Sequence, residues 1–326
     1  MRFENVNDPH RLRQHLSEFI DLVGPERWRK HVSHLESEFA RSPYTAKTLI
    51  DYRWLDMDLI AEFTAERNEP IHRGSLTALH FAHATVNVHR SLTSKGMVSL
   101  QGRLNDALQA EGGFAALFAE MQITQMLNAQ GFNIEFPDLN GNGNHDIEFS
   151  NASVSGEIEC KSLSADAGRQ IHRKTFYRFI DCFGADIQGR VKAGFKELFI
   201  ITLEGRLPSN TAKQQRLHDS LKRAFSDPHF DVISTAEFTI ARESNGADQP
   251  WQAFRSERDL YRNFQNKYGE NCHIAGALLP SAWCLVLMRC KLPDDHSKPQ
   301  LEAMKKASEQ LSGRKTSFIV FQFNDI

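Results

Sequence analysis

A chain of 326 residues with 40% apolar content is long enough for two domains, or for one with a sizeable appendage, and carries the material for packed cores. Its formal charge of −2 gives no global attraction to nucleic acid, which argues against an indiscriminate DNA coat protein and requires any such partner to be held by a local patch. Five scattered cysteines without a Cys-x-x-Cys pair argue against a disulfide framework and a thiolate zinc site.

The first residues, Met1 to Asp8, hold no apolar leader, and no run approaches the roughly 18 apolar residues that span a bilayer. The expectation is a cytoplasmic protein with no membrane partner. The first hundred residues read as helical. Asp8-Pro9 opens a helix, Gly24-Pro25 closes it and opens the next, and Leu12, Leu16, Phe19, Ile20 and Val23 recur at helical spacing. Ser42-Pro43 precedes a third helix at about 45–66, which Glu69-Pro70 ends. Residues 1–100 are therefore expected to form a helical cap or recognition module. His72, His80, His83 and His89 lie within it, and without a telling third ligand spacing they read as ordinary packed or surface histidines. A loop is expected near Lys95 to Gly102.

From residue 101 onward, strands and helices alternate, which predicts an α/β domain over 101–326 with a mixed sheet flanked by helices. A helix over 113–129 stops at Gly131 and carries Glu120 and Thr124 on one strip. Phe132, Ile134 and Phe136 alternate as a strand, and Pro137 to Asn144 form a flexible turn. Two short strands follow, 145–149 and 156–162. Side chains alternate along a strand, so Asp146 and Glu148 share one face, as do Glu157, Glu159 and Lys161 on the next. Acids gathered in this way repel unless something neutralises them. Magnesium, a hard cation satisfied by one or two carboxylates, does so most directly, with manganese as its substitute. A lysine beside that cation can orient a water or offset charge building on a phosphate. The bland reading, in which these charges are only the wetted face of a hairpin, competes with this one.

Beyond Lys161, Ser164 and Asp166 are placed to cap a helix reaching Phe183, with Arg169 and Arg173, and Gln170 and Lys174, each four apart. Thirteen Lys and Arg against six Asp and Glu lie between Lys161 and Arg223. That local excess is the footprint expected of a surface that follows phosphates. Glu197 to Leu203 reads as a buried strand, 210–225 as a helix, 231–240 as a strand and Ser244 to Pro250 as a surface loop. Trp251 to Tyr268 interleaves aromatic and basic residues, and the spacing of Phe254, Tyr261 and Tyr268 favours a helix packing an aromatic stripe. Trp283 to Cys290 and Phe318 to Phe323, separated by a helix over 299–311, close the sheet. No phosphate-binding P-loop, dinucleotide fingerprint or nucleophile elbow is present.

Asp146 followed by Glu159-Cys160-Lys161, in the order helix, strand, strand with Asp, strand with Glu-x-Lys, helix, strand, resembles the PD-(D/E)xK nuclease superfamily over about residues 113–204. His145 stands where the motif's proline would be. The literal Pro137-Asp138 pair lies in the Gly/Asn-rich connection, and Asp146 is preferred. The resemblance implies a restriction-endonuclease-like fold and a metal-dependent nuclease. Asp146 and Glu159 would bind the metal, Glu120 would complete its shell from the preceding helix, and Lys161 would act on the water or the transition state. Gln170, with Arg169, Arg173 and Lys174, would face the substrate. The implied partner is nucleic acid, DNA ahead of RNA, with an accessory subunit and a homodimer both left open. The alternatives are a non-catalytic nucleic-acid or protein-binding module that keeps the fold, and a hydrolase of small phosphoesters.

Overall fold

The computed structural model describes residues 8–65, 73–164, 166–227, 229–244, 257–279 and 281–324. In chain order the elements begin with α1 (Pro9–Val23), α2 (Pro25–Arg41), α3 (Pro43–Tyr52), α4 (Trp54–Thr64), α5 (Arg73–Ser91), α6 (Ser94–Gln109), α7 (Ala115–Ala129), β1 (Asn133–Glu135), α8 (Pro137–Asn140), β2 (Ile147–Ser150) and β3 (Ser155–Ser164). They continue with α9 (Arg173–Asp181), α10 (Gly184–Lys192), β4 (Lys196–Leu203), α11 (Thr211–Ser226), β5 (Val232–Ser234), β6 (Phe238–Ser244), α12 (Glu257–Tyr268), β7 (His273–Leu278), β8 (Trp283–Cys290), α13 (Ser297–Gln310) and β9 (Thr316–Asn324). The fold is mixed α/β, with two separate mixed sheets rather than the single sheet expected.

The chain divides into two compact units, the first made of Met1–Glu38, Leu49–Ala165 and Pro299–Ile326, the second of Phe39–Thr48 and Asp166–Lys298. This division does not follow the expected boundary at residue 100. The physical reason lies in the first unit's core. The α1 stripe of Leu12, Leu16, Phe19, Ile20 and Val23 is buried in one continuous cluster with Ile134, Ile147, Phe149 and Ile158 of the strands. Asp8 accepts a hydrogen bond from His10 N, and Gly24 closes α1 by donating from its N–H to Ile20 O. The loop expected at 95–102 is part of α6. Thr93 caps that helix by accepting from Gly96 N, and Leu100 and Leu104 are buried along it. The helix expected at 45–66 is two, α3 and α4, with Arg53 between them. Glu69-Pro70 and His72 lie outside the described residues.

The first unit's sheet has the order β1-β2-β3-β9. β1, β2 and β3 pair antiparallel, and β9 pairs parallel to β3 from Gly156↔Thr316 to Ser164↔Asn324. The strand at the C-terminus thus joins the hairpin that carries Glu159, not the strand at 283–290. Helix α7 packs on all four strands.

The second unit's sheet has the order β5-β6-β4-β8-β7, with β4 and β8 parallel and the rest antiparallel. Its central strands are apolar on both sides. Phe199, Ile201, Val286 and Met288 enter one cluster and Leu198, Ile200, Leu285 and Leu287 another, the latter covered by Phe264 of α12. The single strand expected at 231–240 is a hairpin, β5 and β6, and β7 is an edge strand not anticipated. Of the expected surface loop, residues 245–250 lie outside the described residues, as do Trp251, Phe254 and Arg255.

The helix expected from 166 to 183 is shorter. Residues 166–172 precede it as turns and bends, and α9 begins at Arg173, whose N–H donates to Asp166 Oδ2 at 2.6 Å. Asp166 therefore caps the helix from seven residues upstream. The two crossing points of this unit lie side by side. Asp295 N donates to Gly168 O at 2.9 Å, Gln170 N donates to Asp294 Oδ1 at 2.8 Å, and His296 Nδ1 lies 2.9 Å from Ala167 O.

Candidate active site

Helix α7 buries Leu117, Met121 and Leu127, and on an adjoining strip it also buries Glu120 and Thr124. Thr124 Oγ1 donates to Glu120 O at 2.7 Å, which satisfies its hydroxyl within the helix. The Glu120 carboxyl is thereby left facing its neighbours, in a residue that is 9% exposed.

The hairpin supplies the other acids. Ile147 pairs with Ile158 and Glu148 with Glu157. One step further in the same register, Asp146 stands opposite Glu159. Like charges directly across a ladder destabilise it, and here both are buried, at 8% and 1% exposure. Backbone and lysine contacts offset part of the cost. Cys160 N donates to Asp146 Oδ2 at 2.8 Å, and Lys161 Nζ lies 2.5 Å from Glu159 Oε1. The second oxygen of Glu159, Oε2, is buried with no hydrogen-bond partner.

The electrostatics place the three acids in one neighbourhood. Burial, followed by the charge of Asp146, pushes the Glu120 carboxyl up to about 8, with Glu159 adding to the rise and Arg103 and Lys161 opposing it. Burial likewise raises Glu159, against the hydrogen bond from Lys161, and raises the neighbouring Cys160 thiol.

Two residues complete the cluster that the sequence reading did not single out. Arg103 of α6 places Nη1 3.1 Å from Glu120 Oε2 and 3.7 Å from Asp146 Oδ1, and it also pairs with Asp138. Gln310, the last residue of α13, accepts from Lys161 Nζ at 2.5 Å and donates from Nε2 to Asn144 O at 3.1 Å. It ties the lysine to the turn that precedes Asp146. Asp138 thus reaches the cluster's rim through Arg103, while Asp146 takes the position facing Glu159. The turn expected to be flexible is organised, with Asn142 N donating to Pro137 O at 2.8 Å and Asn140 accepting from Thr93.

Glu157 shares the strand face but serves another purpose. Its Oε1 accepts from Ser312 N at 2.8 Å and Ser317 Oγ at 2.6 Å, anchoring the loop between α13 and β9. These bonds hold its carboxyl below the usual range despite its burial. Glu148 pairs with Lys315.

The four residues expected to face the substrate belong to the second unit. Arg173 and Arg169 both turn to Asp166, at 3.2 and 3.6 Å. Gln170 donates from Nε2 to Pro293 O at 3.0 Å, and Lys174 is half-buried on the first turn of α9. The basic excess is partly internal, since Arg190 pairs with the buried Glu197. His83 packs edge-on against His15 at 4.6 Å. Among the described residues no three His, Cys, Asp or Glu side chains gather closely enough to enclose a metal ion. No helix there is long and apolar enough to cross a membrane.

Comparison with family models, with curated proteins and with solved structures gave no match for this chain.

Proposed function

We propose that the chain is a metal-dependent nuclease that hydrolyses phosphodiester bonds, with DNA ahead of RNA on the strength of the PD-(D/E)xK resemblance. The observation that carries the reading is Asp146, one residue before β2 and bonded to Cys160 N of β3, beside Glu159 of that strand with Lys161 at 2.5 Å from Glu159. Its setting supports it. Helix α7, strands β1, β2 and β3, helix α13 and strand β9 reproduce the order helix, three strands, helix, strand, with residues 166–298 inserted before the last two. In that arrangement the glutamine presented to the lysine by the second helix is Gln310, and it takes the part first assigned to Gln170.

The donor set suits magnesium. Asp146 and Glu159 offer hard carboxylate oxygens, one of them buried and unpartnered, and magnesium is content with one or two protein carboxylates. Glu120 would join them through water. When bound, the ion would polarise the phosphate and lower the pKa of a water. Lys161, held by Gln310, orients that water or offsets charge on the phosphate, and Arg103 steadies the acids from the far side.

One observation favours the second reading, a binding module that keeps the fold without catalysis: Arg103 and Lys161 already neutralise the acids. The two separate in one experiment. Plasmid, linear DNA and RNA are incubated with the protein in magnesium, in manganese and in EDTA, alongside Glu159→Gln. Metal-dependent cleavage that the variant loses at unchanged melting temperature is the expected result. Equal cleavage by the variant removes Glu159 from the chemistry, and nucleic-acid binding without cleavage by the wild type selects the second reading.

A further inference from the structure

A cavity of about 520 Å³ opens among α2, the start of α4 and α6 of the first unit. Arg27, Lys30, His31 and His34 recur on α2 at intervals of three and four, so one face of that helix carries them all into the cavity wall, and Arg53 joins them from the α3–α4 junction. Basic residues stacked at this spacing repel one another. Among the described residues no Asp or Glu lines the cavity.

The acid behind the wall is already saturated. Asp56 is fully buried and accepts from His31 Nε2 at 2.8 Å, from Arg53 Nη1 at 3.2 Å and from Phe114 N at 3.0 Å. Arg53 is further fixed by the carbonyls of Leu108, at 3.3 Å, and Ala110. Its guanidinium is thus pre-organised, in a residue that is 7% exposed. At the rim, Arg27 is steadied by Asn105 at 3.1 Å, His34 has Glu38 at 3.9 Å, and Lys30 has no acidic partner among the described residues.

We infer that this cavity binds a phosphate group. Three permanent cations, Arg27, Lys30 and Arg53, stand against the buried Asp56 and the rim carboxylate of Glu38, so the wall keeps a net positive charge that favours an anion. The exposed guanidinium fork of Arg27 matches phosphate oxygens in geometry, Arg53 contributes its charge from behind, and the volume falls within the range of small-molecule sites. The phosphate comes either from a free nucleotide or diphosphate, or from a polynucleotide backbone. The site is independent of the acids at Asp146 and Glu159 and of the nuclease reading.

The test is calorimetric, on the full chain in EDTA, where no cleavage occurs. The probes are inorganic pyrophosphate, a nucleoside triphosphate and a short oligonucleotide without terminal phosphate. Arg27 and Lys30 are exposed, so the double variant Arg27→Gln/Lys30→Gln keeps the fold, and Lys213→Gln, an exposed lysine of the second unit, serves as control. Binding of pyrophosphate and the triphosphate that the double variant weakens at least tenfold, with the control unchanged, supports a free phosphorylated ligand. Binding of the oligonucleotide alone, weakened to the same extent, supports a backbone phosphate. No binding of any probe at millimolar concentration, or equal affinity of wild type and double variant, overturns the inference. Because EDTA withholds the metal and the substituted residues lie outside the acid cluster, neither result bears on catalysis.

Discussion

Arg103 sets the charge balance around the three acids, because its guanidinium is the cation nearest both Glu120 and Asp146 and it also engages Asp138. Removing one partner of a buried pair leaves uncompensated charge behind. Arg103→Met should therefore cost about 2 kcal/mol in EDTA, less than the roughly 3–5 kcal/mol of a fully buried pair because the guanidinium is partly exposed. Millimolar magnesium should restore part of the loss. An unchanged urea midpoint would show that the acids need no such counter-charge. Glu120 makes a second prediction. Its carboxyl is raised from 4.5 to about 8, so between those values the folded chain holds a proton that the unfolded chain has released, and stability falls as pH rises through that window. Glu120→Gln imitates the protonated form and should flatten the slope. Parallel stability profiles of variant and wild type across that same window, in EDTA, would remove Glu120 as its source.

At the level of elements, the seam between Gly168 and Asp295 depends on a missing side chain. Gly168 has φ +86°, and a Cβ there would meet the Asp295 carbonyl oxygen far inside contact distance. Gly168→Ala should destabilise the second unit by about 2–3 kcal/mol and admit protease near residues 166–172, since both a left-handed backbone and a backbone contact are violated. Protection equal to the wild type would mean that the seam tolerates a shift. Such features bear on what was legible in the sequence. Asp146, Glu159 and Lys161 could be read there because strand alternation places them on one face without knowledge of the rest. Arg103 and Gln310 could not, since each reaches the site from an element remote in sequence. The loop expected near Lys95 to Gly102 is instead helix α6, because Thr93 supplies a cap and Leu100 and Leu104 supply a buried face. Alternation also marks Phe318 to Phe323 as a strand, but it is silent on partners, so it does not show that β9 pairs with β3.

Across the whole chain, the first unit is discontinuous: three stretches build it, and its sheet is completed by a strand more than a hundred residues after the hairpin it joins. Pairing at that separation costs loop-closure entropy before its contacts are gained, which makes the β3–β9 ladder an expensive one to close. The seam lowers that cost. Because the strand-to-helix passage leaves at Gly168 and returns at Asp295 within a single hydrogen bond, the intervening residues behave as a closed loop of almost no span. A segment pinned in that way leaves β9 only a short effective tether to the hairpin, so the two strands meet as if they were near neighbours in the chain.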